Sequence, residues 1–161
     1  ALLIVNDDAR LAAEIGADGV HLGRDDGGVA EARAVVGSEA IIGVSCYDQI
    51  ALAIEARREG ADYVAFGSFF ASSVKPHAVR PPISLLAHAR RALGCPIVAI
   101  GGITLERASG LVSAGADALA VISDIFDAPD VQARASAYSQ LFGQAPDDIG
   151  NARNDDHDLT Q

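Results

Sequence analysis

Two acidic clusters stand where apolar runs break off. Asn6-Asp7-Asp8 follows Leu2–Val5, and Asp25-Asp26 follows Gly19–Leu22 by a short loop. Carboxylates at neighbouring ends of parallel strands converge on one point. Oxygen ligands of this kind suit Mg²⁺, which binds few carboxylates and takes the rest of its shell from substrate phosphates and water. An Asp at a strand end also serves as a helix N-cap. Asp8 and Asp25 are read as such caps, which leaves Asp7 and Asp26 as the metal candidates. Ser45 closes a third run, where a hydroxyl suits either a ligand heteroatom or a cap. Cys46 beside it has no partnering His, so no thiolate nucleophile is expected. His21, inside a run, reads as a satisfied core histidine. The loop Ser72-Ser73-Val74-Lys75 offers hydroxyls and one flexible cation able to meet a phosphate as a point charge. Gly101-Gly102 and Ile122-Ser123 suggest backbone exposed at helix starts, where peptide N–H groups and the helix dipole receive anions.

The elements that must carry these residues are marked by a repeat. Gly-Ala-Asp occurs at Gly16-Ala17-Asp18, Gly60-Ala61-Asp62 and Gly115-Ala116-Asp117, each time between a helical pattern and an apolar run. Glycine suits the left-handed residue that ends a helix, and Asp suits the turn into a strand. A repeated helix-Gly-Ala-Asp-strand unit predicts parallel strands, with the chemistry at their C-terminal ends. The patterning predicts strands over 2–5, 19–22, 41–46, 63–70, 96–100 and 118–125. Helices are expected over 9–15, 29–36, 48–59, 84–93, 105–114 and 130–142. The wide gap between the fourth and fifth strands holds a long loop, 69–82, with three prolines. Six strand-helix units fit an open doubly wound sheet or part of a closed barrel, and composition does not choose between them.

Half of the 161 residues are apolar, with no Trp and no Met, as expected of one domain built from doubly buried strands. The net charge of −10 includes five Asp against one Arg in residues 145–161. That aperiodic acidic stretch is expected to be a disordered tail beyond a folded domain spanning 1–144. An acidic chain without a basic stripe is not expected to bind nucleic acid or an anionic membrane. Two cysteines supply no disulfide or zinc framework. Strand-length apolar runs and the lack of a basic, apolar leader predict a soluble cytoplasmic protein.

Taken in order, several motifs resemble one family. They are Ile4-Val5-Asn6-Asp7-Asp8, Gly19-Val20-His21-Leu22-Gly23, Gly43-Val44-Ser45 and Gly67-Ser68-Phe69-Phe70, then Lys75-Pro76, Ala99-Ile100-Gly101-Gly102-Ile103 and Val121-Ile122-Ser123. From about Leu2 to Phe142 the chain resembles thiamine-phosphate synthase and, more loosely, the thiazole tautomerase TenI. The resemblance implies an α/β fold of the (β/α)₈ TIM-barrel type. Leu2 would then open the third strand, and the first two βα units, with a pyrophosphate-gripping Gln-x-Arg-x-Lys cluster, are expected to be absent from this chain.

The implied reaction joins an aminopyrimidine-methyl pyrophosphate to a thiazole phosphate, giving thiamine phosphate and pyrophosphate. Asp7 and Asp26 would hold Mg²⁺, and Asn6 and Ser45 would contact the pyrimidine. Lys75 would meet the pyrophosphate, so that Lys75 and Ser45 are the candidate catalytic residues. Ser72, Gly102, Ile122 and Ser123 would seat the thiazole phosphate. The partners implied are these small molecules, with a homo-oligomer left open. The chain departs from the family pattern at Val74 (commonly Thr), Ala71 (commonly Pro) and Arg24 (commonly Gln). A TenI-type tautomerase and a non-catalytic thiazole or thiamine phosphate binder remain as alternatives. The tautomerase needs no pyrophosphate-bound Mg²⁺, so the Asp7 and Asp26 pair favours the synthase.

Overall fold

The computed structural model describes residues 1–71 and 79–143. Ser72, Val74 and Lys75 lie outside the described residues, as does the tail expected over 145–161.

Thirteen elements follow one another along the described chain, strand and helix in turn until the last two, which are both helices. They are β1 (Ile4–Asn6), α1 (Ala9–Glu14), β2 (Gly19–Leu22), α2 (Val29–Val36), β3 (Ile41–Tyr47), α3 (Ile50–Arg58) and β4 (Tyr63–Phe66). After these come α4 (Ser84–Ala92), β5 (Ile97–Ile100), α5 (Leu105–Ser113), β6 (Ala118–Ala120), α6 (Ser123–Phe126) and α7 (Val131–Gly143). The six strands pair in parallel and in simple chain order, β1-β2-β3-β4-β5-β6. A doubly wound sheet reverses its strand order at a switch point, and this sheet does not. The order is that of consecutive units of a (β/α)₈-type barrel.

Alternation along the strands sorts the two faces. Val20, Leu22, Ile42, Val64, Phe66 and Ile97 are fully buried beneath the helices, against Ala12, Ala53, Leu86, Ala89, Ala108 and Leu111. The four alanines among these helix residues let the helices approach the sheet closely. His21, Ser45, Tyr63 and Val98 take the opposite face and are only half-buried.

The Gly-Ala-Asp repeat does more than end helices. Gly16, Gly60 and Gly115 have φ of +66°, +100° and +113°. Each alanine N–H reaches back to the last turn of its helix: Ala17 to Ala12 O, Ala61 to Ala56 O and Ala116 to Leu111 O, at 2.9–3.1 Å. This is the paired-bond Schellman termination. Each aspartate then accepts a backbone N–H from the neighbouring strand or, for Asp18, from the residue just before it. Asp18 takes Leu3 N–H (2.7 Å), Asp62 takes Ile42 N–H (2.8 Å) and Asp117 takes Ile97 N–H (2.9 Å). Arg33 pairs with Asp62 and Arg90 with Asp117. The motif therefore staples the N-terminal edge of the sheet, opposite the chemistry.

Asp62→Ala leaves the buried Ile42 N–H without its acceptor and is expected to cost about 1–3 kcal/mol. Asp18→Ala, whose partner Leu3 is exposed, should cost clearly less. Paired urea titrations check the ranking, and equal losses would show that the staple is not what holds the edge.

Several boundaries differ from expectation. The first strand is Ile4–Asn6, so Leu2 and Leu3 stand outside it. The run expected to stay extended to Phe70 leaves the ladder after Phe66. Phe69 and Phe70 N–H groups turn instead to Ile100 O and Gly101 O, folding the chain over the end of β5. The strand expected over 118–125 stops at Ala120, and Ser123–Phe126 closes into a single helical turn. An apolar run of that length has no period that separates a strand from a turn of helix.

Candidate active site

At the C-terminal end of β1 the chain turns sharply. Asp7 adopts φ +68°, a left-handed geometry that Asp tolerates better than most residues. Its N–H still bonds His21 O at 2.8 Å, so the turn is locked to β2. Asp8 is the N-cap of α1, its carboxylate accepting Leu11 N–H at 2.9 Å. Asp25 does not cap α2; Gly28 holds that position, and Asp25 lies in the turn before it. Asp26 folds back so that Oδ2 accepts Gly23 N–H at 2.7 Å, leaving Oδ1 for another partner.

Asp7 and Asp26 line one open cleft of about 450 Å³, together with Asp8, Arg10 and Glu31. Four carboxylates against one guanidinium leave the cleft net negative. A hard divalent ion binding through one or two carboxylates and finishing its shell with phosphate oxygens fits this donor set. Among the described residues no cluster of three or more ligating side chains forms a ready-made metal cage. The site suits an ion that arrives with a phosphorylated substrate.

A second group lies one row further into the barrel. Asn6, His21 and Gly43 sit side by side on β1, β2 and β3, and Gly43 faces Tyr63 on β4. Because Gly43 carries no side chain, the His21 and Tyr63 rings meet across its strand, stacked at 5.6 Å between centroids. His21 Nδ1 lies 2.9 Å from Tyr63 Oη, and Nε2 lies 2.9 Å from Ser45 Oγ. Burial raises the Tyr63 phenol pKa, which keeps its proton in place. His21 is satisfied, as expected, but stands half-buried on the inner face of the sheet and not in the core. It connects the expected Ser45 to Tyr63, which sequence reading passed over. The only signal in the chain was the Gly43 gap, legible once strand register is known. Ser45 is not a cap either, since β3 runs on to Tyr47 and Gln49 caps α3. Burial, with Cys95 nearby, pushes the Cys46 thiol up to about 12, in keeping with an unreactive cysteine.

The expected phosphate seat is divided between two strand ends. Gly102 (φ +60°) follows β5, and a Cβ there would stand 2.3 Å from Ala71 O. Only glycine lets the β4 loop lie on this turn. Ile122 is the N-cap position of α6 and Ser123 its first residue, one strand further on; Ile122 is exposed. Asn6, Asp7, Asp26, Ser45, Gly102, Ile122 and Ser123 thus all fall at the C-terminal side of the sheet. Ser72 and Lys75 belong to residues 72–78 and are not among the described positions.

Six consecutive parallel βα units in simple order, with carboxylates, hydroxyl and imidazole gathered towards the C-terminal strand ends, belong to the enzyme class of (β/α) barrels. Comparison makes that class specific. The family model described as thiamine monophosphate synthase matches residues 1–125. The thiamine-phosphate synthase of Azoarcus sp. (strain BH72) is 63% identical over 140 residues, 87% of this chain and 68% of that protein. That of Methylobacillus flagellatus is 60% identical, over 87% of this chain and 66% of its own length. The solved thiamine phosphate pyrophosphorylase from Pyrococcus furiosus superposes with a TM-score of 0.78 at 32% identity, covering 89% of this chain and 68% of that one. The chain belongs to the thiamine monophosphate synthase family. It spans about two thirds of the length of the curated relatives it matches. Among the described residues no helix is long and apolar enough to cross a membrane.

Proposed function

We propose that the protein condenses 4-amino-2-methyl-5-(hydroxymethyl)pyrimidine pyrophosphate with 4-methyl-5-(2-phosphoethyl)thiazole, releasing pyrophosphate and forming thiamine phosphate. The observation that carries this reading is the placement of Asp7 and Asp26, from adjacent strand ends, on one acidic cleft in a member of this family.

In the reaction the methylene C–O bond breaks, and its electron pair leaves with the pyrophosphate. The aminopyrimidine stabilises the cationic methylene, and the thiazole nitrogen attacks it to form the new C–N bond. The protein therefore needs placement and electrostatics more than a strong base. Asp7 and Asp26 would hold Mg²⁺, which when bound neutralises charge growing on the leaving pyrophosphate. Lys75 would add a cation to the same group. Asn6 and Ser45 would orient the pyrimidine. A Tyr63 hydroxyl donating to His21 Nδ1 leaves the Nε2 proton for Ser45 Oγ. Ser45 then has its own proton to offer a ring acceptor. Gly102, Ile122 and Ser123, with Ser72, would receive the thiazole phosphate.

Both substrates mixed with the intact protein should give thiamine phosphate with Mg²⁺ present and little after chelation. Product formation that ignores chelation would remove the metal role. Absence of product, with the thiazole phosphate still bound, would turn the assignment towards the tautomerase or the non-catalytic binder.

A further inference from the structure

Asp124 belongs to none of the motifs behind the synthase reading. Its Oδ2 nevertheless accepts three hydrogen bonds: from Tyr138 Oη at 2.8 Å, from Arg134 Nη1 at 2.9 Å and from the Leu105 N–H at 3.2 Å. The side chain is 17% exposed. Burial works to raise its pKa, but the bonds from Tyr138, Arg134 and Leu105 outweigh burial and hold the carboxyl below its ordinary value. It is ionised at neutral pH.

Where these bonds lead matters more than their number. Leu105 opens α5 and is reached from Gly102 through Ile103 and Thr104; Arg134 and Tyr138 lie on α7. Asp124 itself follows directly on Ile122 and Ser123. Its bond to Leu105 is, among the described residues, the only hydrogen bond between α6 and the segment 101–105. A helix of one turn does not hold its own geometry, because nucleation costs more than a single turn returns. Ile125 packs partly on the core, while Ile122 and Phe126 are exposed at 64% and 69%. The β5–β6 ladder ends at Ile100 and Ala120, and beyond it the hydrogen bonds that tie this turn to α5 and α7 run through Asp124.

We propose that Asp124 is a positioning residue for the thiazole phosphate. Through Leu105 and α7 it fixes the distance between Gly102 and Ile122–Ser123, the two halves of that seat. This rests on the synthase reading, so the test begins by titrating wild-type intact protein with the thiazole phosphate in a calorimeter. No binding by wild type would overturn the reading beneath the proposal.

With wild-type binding secured, Asp124→Asn keeps the side-chain shape and removes the charge. It is expected to raise KM for the thiazole phosphate about tenfold, with kcat and KM for the pyrimidine pyrophosphate changed by less than about twofold. Tyr138→Phe removes one donor, leaves Asp124 in place, and should raise the same KM by about threefold. It also serves as the informative variant if Asp124→Asn does not fold. Unchanged thiazole phosphate affinity in a folded variant would overturn the positioning role alone. A parallel rise in both KM values with a falling Tm would overturn it too, since that pattern marks a purely structural residue.

Discussion

Asp7→Asn is expected to lower kcat/KM for the pyrimidine pyrophosphate by about 10²–10³-fold, the several kcal/mol that a bound cation supplies to a developing oxyanion. Asparagine is the informative substitution here. Asp7 sits at φ +68°, where Asn is tolerated and Ala would add strain of its own. The Asp7 N–H bond to His21 O survives the change, so the turn at the end of β1 should stay in place. The loss would then report charge and ligation and not backbone geometry. Raising Mg²⁺ should restore part of the activity, because the remaining Asp26 still presents Oδ1 to the cleft while Oδ2 is held by Gly23 N–H. Thiazole phosphate binding should not change. An Asp7→Asn enzyme with wild-type kcat/KM and wild-type Mg²⁺ dependence would remove Asp7 from the metal site.

Gly43→Ala should be the most damaging methyl group that can be added to the second row. Its Cβ would stand 1.9 Å from Tyr63 Cζ and 2.3 Å from Tyr63 Oη. The ring cannot stay where it is, so the Tyr63–His21 bond and the stacking across β3 are lost together. Overpacking of this kind costs about 1–3 kcal/mol. Because His21 also meets Ser45, activity should fall alongside stability. The clash has one named cause, which makes it separable. In a Tyr63→Ala background the added methyl has room, and alanine is the better strand residue, so Gly43→Ala should then cost close to nothing. Urea melts of the two single variants and the double variant measure the coupling. Additive losses would mean that Gly43 is required for some reason other than making room for Tyr63.

The two substitutions probe residues that differed sharply in legibility. That Asp7 and Asp26 would come to line one cleft was legible because a carboxylate just beyond an apolar run is a local signal. The run sets where a strand ends, and in a parallel sheet the ends gather. Local signals also erred. Asp25 and Asp26 are adjacent and chemically alike, and the guess that Asp25 caps α2 fails because the cap falls at Gly28. His21 reads as a core histidine because it lies inside an apolar run. Its partners lie 24 and 42 residues away, on two different strands. The runs over 63–70 and 118–125 were read as longer strands than they are, since apolar composition does not say where a chain bends over its neighbour.

By itself the sequence determined the units, their order and where three of the helices end. Gly-Ala-Asp marked three helix terminations through a backbone geometry that favours glycine, and the apolar spacing laid out six strands in order. Those features are local, written in conformational preferences a few residues long. Only the tertiary structure decided that the strands stay in simple order without a switch point. It alone turned Asp18, Asp62 and Asp117 into cross-strand staples. It alone placed Tyr63 over Gly43 against His21, and Asp124 between α5 and α7. Each of these is a contact between residues distant in the chain, set by strand register and packing, and a hydrogen bond that exists only in register leaves no mark in the order of residues.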